Sequence, residues 1–395
     1  MDRTPVPTRL SVTAAEGLFF AIGDHSALGL GILDVAQVFM NAVILAGGKG
    51  TRLRPLTLNT PKPIVPILNR PLLALQIDLL RRTGIENIVL SLSYQPRRIE
   101  ELFGDGSDHG VRIHYTMEPE PLGTAGAVKN AENFIRERTI VFNGDVLSDL
   151  DLESVLRFHE DKNARATIVL TPVENPSAYG LVECVEDGRV SQFLEKPSDD
   201  EITCDTINAG VYVIEPELFD SIPPGVNYSF ERSFFPNLLR DDVPFYAYVH
   251  RGYWIDIGTP EKYLQVHRDI LSGVLAIEGF NPNAGGTYVD PQATLEAGSR
   301  LTGPAYVGPG SVVKAQASLE PFVVLGSNCR IEEGASVSHS VLWSNVRVGE
   351  HARVRGALIG RSAHIGHHAV VDHGVVLGDK SVLTDFSRLA PLEGS

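Results

Sequence analysis

Through its first two thirds the chain gathers apolar residues in short unbroken runs; in its last third they recur at every sixth position. Ala42-Val43-Ile44-Leu45-Ala46 is one such run, and 87–94 (NIVLSLSY), 111–116 and 139–142 are others. Short apolar runs bounded by turn residues predict strands buried on both faces. Between them, 71–83 (PLLALQIDLLRRT) spaces Leu72, Leu75, Leu79 and Leu80 for related helical faces and stops at Gly84. Pro96 opens a short helix to Phe103, and 124–135 predicts another. Strand and helix alternating at this spacing predict an α/β fold, a mostly parallel sheet with helices on both faces. From Ala166 to about Ile214 the pattern turns strand-rich (ATIVLTPV, LVECV, RVSQFLEKP, NAGVYVI), and helices return around 228–239 and 260–272.

The sixfold series runs Val289, Leu295, Leu301, Val307, Val313, Leu319, Leu325, Ile331, Val337. After a one-residue slip it resumes at Leu342, Val348 and Val354, and after another at Ile359, Ile365, Val371, Leu377 and Leu383. Glycine often follows, as at Gly308, Gly326, Gly349, Gly360, Gly366 and Gly378. Helices repeat at 3.6 and strands at two, so neither alone yields six; a parallel β-helix does, one hexad to each flat side. The expected division is an α/β domain over 40–272, a linker over 273–288 rich in Pro, Asn and Gly, the β-helix over 289–385, and a tail over 386–395.

The first 39 residues fit neither pattern. Apolar stretches at 17–22 and 28–40 are cut by Asp24 and Asp34 before they could span a bilayer. Arg3 and Arg9 ahead of a short apolar run imitate a secretory signal only weakly. Residues 1–39 are therefore expected to be an upstream extension, or a mis-set start, with no independent fold.

Composition narrows the partners. Of 395 residues 43% are hydrophobic and 21% charged, an ordinary globular balance with material for two or three domains. A net charge of −15 with no basic stripe argues against nucleic acid, and no membrane partner is expected. Cys184, Cys204 and Cys329 are too scattered for a metal site or a disulfide framework, and suit the reducing cytoplasm.

An acidic chain that handles anions must gather its cations locally, and one segment does so. The strand 42–46 ends at Gly47-Gly48-Lys49-Gly50, whose backbone can turn tightly and offer its N–H groups to an anion. Thr51, Arg52 and Arg54 follow, then Lys62 between Pro61 and Pro63. The dinucleotide pattern G-x-G-x-x-G fails because Leu53 stands at its third glycine, and no glycine is followed by Lys-Ser or Lys-Thr in the P-loop frame. Asp145 ends a buried strand after Asn143-Gly144, either as a ligand-facing carboxylate or as a turn former. Asp256, between Ile255 and Ile257, is costly to bury without a metal or hydrogen-bond partner. Two carboxylates with phosphate oxygens are a usual way to hold Mg²⁺. Glu195-Lys196-Pro197 offers a cation for a second phosphate and an acceptor for sugar hydroxyls, or is simply a solvated strand end. The small residues 122–127 (LGTAGA) open a helix whose N-terminus a base or phosphate could approach. His364, His367, His368 and His373 could form a metal or acyl-transfer site, but are expected on coil faces and turns.

The signature LAGGxGTRLxPLT with PKP, followed in order by Asn143-Gly144-Asp145, Glu195-Lys196-Pro197, NAGVYVI, WIDIGTP and the hexads, resembles the sugar-1-phosphate nucleotidylyltransferases from Met40 to about residue 385. Through EPLGTAGAV, PSAYGLV from Pro176 and FERSFFP from Phe230 it is most similar to their mannose-1-phosphate guanylyltransferase branch. The resemblance implies a Rossmann-like α/β domain followed by a left-handed parallel β-helix. It implies that Leu45, Ala46, Gly47, Gly48, Gly50 and Thr51 cradle the triphosphate, stabilised by Arg52 and Lys62. Gly123, Thr124 and Gly126 would line the base pocket, and Asp145 and Asp256 would bind Mg²⁺. Gly180, Glu195, Lys196 and Asn208 would hold the sugar phosphate, with Lys196 also catalytic. Asn143-Gly144-Asp145 departs from the Asn-Ser-Asp typical of eukaryotic guanylyl enzymes, so reaction type is implied more firmly than base or sugar. The implied substrates are GTP and mannose 1-phosphate; rivals are glucose 1-phosphate with UTP, dTTP or ATP, and a heptose 1-phosphate with GTP. A non-catalytic regulatory paralogue would usually lack one of the charged residues, and all are present here. Homo-oligomers associating through the β-helix are expected.

Overall fold

In the computed structural model, which describes residues 40–282 and 285–391, the run Asn41–Leu45 becomes a central strand. It pairs in parallel with Asn87–Leu92 and Thr139–Asn143, and Asn87–Leu92 pairs in parallel with Arg112–Met117. Successive side chains on a strand point to opposite faces, so the unbroken apolar runs feed two cores. Ala42, Ile44, Ile88, Leu90, Ile140 and Phe142 enter one; Val43, Val89 and Val141 enter the other. The strand-rich stretch extends this sheet: Thr206–Ile214 runs antiparallel to Thr139–Asn143 and leads to Gly180–Cys184 and Val190–Glu195. Ala166–Pro172 and Phe245–Val249 complete nine strands among the described residues. The expected extension 1–39 lies outside the described residues.

Several expected elements are present with shifted limits. The helix expected over 71–83 spans Leu72–Arg82, and Gly84, at φ +78°, turns the chain out of it. The helix expected over 124–135 spans Gly123–Asn130 and gives way to a tight turn at Glu132–Phe134. Around 228–239 the chain first makes a wide π turn, Phe230–Phe234, before the helix Phe235–Arg240. The wide turn gathers Phe230, Phe234 and Phe235 into one buried aromatic cluster; regular α-helical spacing would keep Phe230 and Phe234 on one face but turn Phe235 away. The helix Leu152–Asp161 was not expected: its buried stripe is only Leu152, Val155 and His159 among charged residues. Its legible signal is the cap, where the Asp151 carboxylate accepts from the Ser154 N–H at 3.1 Å.

The sixfold series folds as three parallel sheets of six strands each, the left-handed β-helix. Val307, Val313, Leu325, Ile331, Val348, Ile359 and Ile365 are all fully buried in its interior. The slips in the series are real: Leu325 pairs with Leu342 rather than with Trp343, so that coil is one residue short. One side of this β-helix is not solvent-facing. Tyr306, Val324, Val341, Trp343 and Leu358 share a core with Leu53, Leu56, Ile257, Tyr263 and Ile270 of the α/β part. Among the described residues no helix is long and apolar enough to cross a membrane.

Candidate active site

The glycine loop is shaped by what presses on it. Gly50 is left-handed at φ +61°, and a Cβ there would lie 3.0 Å from Lys62 Cβ and 3.1 Å from Thr57 Cγ2, so both conformation and space require glycine. The Thr57 hydroxyl donates to Gly50 O at 2.6 Å, and the Ser93 hydroxyl to Gly47 O at 2.6 Å. With its carbonyls tied back, the loop borders a cavity of about 550 Å³. Leu45, Gly47, Gly48, Gly50 and Thr51 line it, whereas Ala46 is buried just behind.

Arg52 and Lys62 also line this cavity. The Arg52 guanidinium occupies the space where a side chain at residue 258 would sit, 2.8 Å from a Cβ placed on Gly258. Lys62 Nζ donates to Asp145 Oδ2 at 2.6 Å, with the lysine side chain 9% and the carboxylate 36% exposed. The turn holding Asp145 is braced from below: buried Gln76 donates from Nε2 to Asn143 O at 2.9 Å and to Val146 O at 2.7 Å. A Cβ on Gly144 would come 2.6 Å from Leu45 O, so the central residue of Asn143-Gly144-Asp145 has no room for a side chain.

Asp256 reaches the same place by strand pairing. Val146–Ser148 and Trp254–Asp256 form a short antiparallel ladder in which Asp256 faces Val146, and the Ile257 N–H donates to Asp145 O at 2.8 Å. The two aspartates are thus neighbours in space despite their separation in sequence. Asp256 Oδ1 accepts from the Tyr179 hydroxyl at 2.9 Å and from Lys262 Nζ, which also bonds Tyr179. Burial works against the Lys262 charge, but these bonds outweigh it and hold its pKa above the usual lysine value. Asp145 uses Oδ2 and Asp256 uses Oδ1, leaving one oxygen of each for a cation. No group of three or more His, Cys, Asp or Glu able to hold a metal occurs among the described residues. The pair therefore fits an ion that completes its shell with water and phosphate oxygens, the habit of Mg²⁺.

The helix Gly123–Asn130 closes the opposite wall. Gly123 and Thr124 border the cavity; Gly126 is turned away, where a Cβ would lie 2.7 Å from Val226 O. The Ala125 and Gly126 N–H groups both donate to Tyr228 O at 2.9 Å, so the helix start spends those amides on the chain itself rather than on a phosphate. Thr124 Oγ accepts from the Phe230 N–H at 2.8 Å and donates to Glu231 at 2.9 Å.

Gly180, Glu195, Lys196 and Asn208 gather on the antiparallel strands beyond Asn143. Glu195 pairs with Gly180 across the ladder, and a Cβ on Gly180 would lie 3.0 Å from its Oε2. Burial, then the nearby Glu231, raises the Glu195 pKa above the usual carboxylate range. Asn208 donates to the Tyr212 hydroxyl at 2.8 Å and accepts from the Gly210 N–H at 2.9 Å. None of the four borders the cavity, and Lys196, at φ +53°, is exposed. Asn143 Oδ1 is buried with no hydrogen-bond partner among the described residues, an acceptor left open beside the cavity. In the β-helix, His368 stacks between His351 and Phe386 at a corner, and His367 Nδ1 accepts from the Glu350 N–H.

Sequence reasoning did not single out Ser93, Glu118, Gln76 or Lys262. Glu118 lines the cavity, accepting from the Leu122 N–H at 3.0 Å and from the Ser91 hydroxyl at 3.3 Å. Its only local signal is a carboxylate just past a strand end, in the Glu118-Pro119-Glu120-Pro121 turn.

Comparison with known proteins agrees with this architecture. Residues 41–273 match the family model described as nucleotidyl transferase, and residues 284–389 match the EIF2B subunit epsilon LbH domain. The mannose-1-phosphate guanylyltransferase of Mycobacterium tuberculosis is 41% identical over 300 residues, covering 75% of this chain and 83% of that protein. The UTP–glucose-1-phosphate uridylyltransferase of Synechocystis is 35% identical over 322 residues, covering 77% of this chain and 83% of its own. Among solved structures, HddC from Yersinia pseudotuberculosis is 33% identical with a TM-score of 0.50, covering 57% of this chain and 97% of that one.

Proposed function

The chain belongs to the nucleotidyl transferase family, and from that premise we propose that it joins GTP to mannose 1-phosphate, forming GDP-mannose and pyrophosphate. One observation carries this reading: the glycine loop, the Arg52 guanidinium and the Lys62–Asp145 pair meet at a single cavity. In this proposal Gly47, Gly48, Gly50 and Thr51 present amides to the triphosphate, with Leu45 and Ala46 behind them. Arg52 and Lys62 neutralise the phosphates, and Gly123 and Thr124 wall the base, with Gly126 letting their helix sit close. Gly180, Glu195, Lys196 and Asn208 hold the sugar phosphate; Glu195 and the open Asn143 Oδ1 supply acceptors for its hydroxyls. Asp145 and Asp256 would hold Mg²⁺, whose charge, when bound, lessens the repulsion between the two anionic substrates.

A phosphate oxygen of the sugar 1-phosphate attacks the α-phosphorus in line, the bond to the bridging oxygen breaks, and pyrophosphate leaves. The attacking oxygen is already anionic, so no general base is required. What remains for the protein is alignment and charge neutralisation. Guanine is favoured by Glu118: a carboxylate only accepts hydrogen bonds, and guanine presents two adjacent donors, N1–H and its amino group. Uracil and thymine present one N–H between two carbonyls.

Pyrophosphate release from a grid of four triphosphates and several sugar 1-phosphates with Mg²⁺ tests the assignment. The expected result is the highest kcat/KM for GTP with mannose 1-phosphate; a clear preference for UTP with glucose 1-phosphate would overturn it. We place the reaction in the cytoplasm, supported by the free thiols of Cys184, Cys204 and Cys329. We further propose association of copies through the β-helix, supported by Val382 and Phe386, 69% and 76% exposed on its last coil. Light scattering of the full chain against Phe386→Ser reads that.

A further inference from the structure

Most glycines of the sixfold series serve the coil itself. At Gly326, Gly349 and Gly360 a Cβ would strike the backbone of the following turn, with nearest atoms at 2.6–2.8 Å. Gly378 does not follow that rule: the three atoms nearest to a Cβ there all belong to Pro55, the closest at 3.1 Å. Pro55 lies three residues beyond Arg52. Gly308 does both: a Cβ there would strike the following turn, 2.8 Å from Leu325 O, and also the side chain of Asn69, whose Nδ2 donates to the Tyr306 hydroxyl at 3.3 Å. Between these two contacts sits a buried knot. The Trp343 indole N–H donates to the Tyr263 hydroxyl at 3.0 Å, and that hydroxyl donates to Pro66 O. His267 Nδ1 donates to Tyr263 O at 2.7 Å, and its Nε2 accepts from the Leu68 N–H. Trp343, Tyr263 and His267 are each at most 2% exposed.

The β-helix thus grips the segment 51–69 near its start, at Pro66 and at its end. That segment carries both Arg52 and Lys62. The sugar-side residues Gly180, Glu195 and Asn208 stand instead on strands of the central sheet.

We propose that the β-helix is a positioning element for the triphosphate-binding cations: Gly378 and Trp343, acting through Pro55 and Tyr263, hold the segment that presents Arg52 and Lys62 to the cavity. This rests on the nucleotidyl transfer proposed above and adds positioning residues to it. Removing the indole N–H orphans a buried hydroxyl acceptor site, and a side chain at residue 378 pushes on Pro55; both displace cations whose worth depends on alignment.

The test uses the full chain with Gly378→Val, Trp343→Phe, Tyr263→Phe and the double variant of the last two. For Gly378→Val we expect kcat with GTP and mannose 1-phosphate to fall about tenfold and the KM for GTP to rise about fivefold. The KM for mannose 1-phosphate should stay within about twofold and the melting temperature close to wild type. Trp343→Phe should move the same parameters, and the double variant should be no worse than Tyr263→Phe alone, because the two share one bond. Wild-type kinetics in Gly378→Val would overturn the proposal. So would a fall in kcat with both KM values unchanged and a lowered melting temperature, the mark of fewer folded molecules. Equilibrium dialysis of GTP on the same proteins separates the two readings. Weaker GTP binding by Gly378→Val supports the positioning role even if the wild type turns over a different sugar phosphate, whereas unchanged affinity sinks it.

Discussion

Asp145 meets Lys62 at 2.6 Å and stands beside Asp256, so its charge is the hinge of the proposed chemistry. Asp145→Asn keeps the shape and removes the charge. Its kcat should drop by two to three decades, about 3–4 kcal/mol of barrier, with a melting curve close to wild type. Near-normal turnover by the pyrophosphate assay would reject the metal assignment. Glu118 carries a different consequence. Glu118→Ala removes the acceptor proposed for guanine, and kcat/KM for GTP should fall about ten- to a hundredfold, the worth of one or two hydrogen bonds to a charged group. UTP should be left nearly unaffected, so the measured quantity is the GTP-to-UTP ratio. Arg52, Lys62 and Asp145 could be singled out from the sequence because each sits within or directly after a glycine-rich or proline-rich turn. Gln76 and Glu118 could not. Gln76 reads as one more position of an amphipathic helix, and its clamp on Asn143 and Val146 exists only once the helix docks beneath the turn.

At the scale of elements, the helix Pro260–Leu271 joins the site to the rest of the molecule. Thr259 caps it, Lys262 bonds Asp256 in its first turn, and His267 lies fully buried in its last half. Burial pushes the His267 pKa down from 6.5 to about 4. Burial outweighs the Tyr263 and Pro66 carbonyls, which favour the charged ring, and the neutral Nε2 accepts from the Leu68 N–H. Because the folded pKa is the lower one, the native state binds fewer protons than the unfolded chain between those values. Stability is therefore fully present above about pH 6.5 and declines as pH falls toward 4. Between pH 7 and pH 5 this one group should remove about 2 kcal/mol. His267→Gln keeps a neutral donor and acceptor, so its urea midpoint should fall less over that interval than that of the wild type. An equal fall in both proteins would mean the acid sensitivity lies elsewhere. Elements of this kind were unevenly legible. Buried strands and the sixfold series announce themselves because their periods repeat. The helix Leu152–Asp161 shows only a thin apolar stripe, and the π turn at Phe230 answers to an aromatic cluster that assembles from distant segments.

For the whole molecule, the two halves share a core, and neither face of it suits water. Deleting 285–395 would uncover Leu53, Leu56, Ile257 and Tyr263, which the β-helix now covers. Exposed contiguous apolar surface of this kind favours association. The truncated chain should be less soluble and melt more than about 10 °C lower, as differential scanning fluorimetry would show, the loss expected when several large side chains lose their cover. A truncated chain with an unchanged melting temperature would show that the shared core contributes nothing. The sequence divides at 273–288 and suggests two independent bodies; hydrophobic pattern reports burial, but not which surface does the burying. Trp343 therefore looks like any hexad neighbour until Tyr263 is found against it.

A coiled stack of this sort can gain or lose a full turn without disturbing the turns on either side, since each rests only on its neighbours. Tyr263, Pro55 and Asn69 nonetheless fix particular rungs in place. A turn added after Lys380 would merely lengthen the rod. The same turn spliced in ahead of Trp343 would carry the indole one rung, about 4.8 Å, away from its phenol. Tolerance to changes in length should accordingly end abruptly at the last rung that leans on the enzyme body.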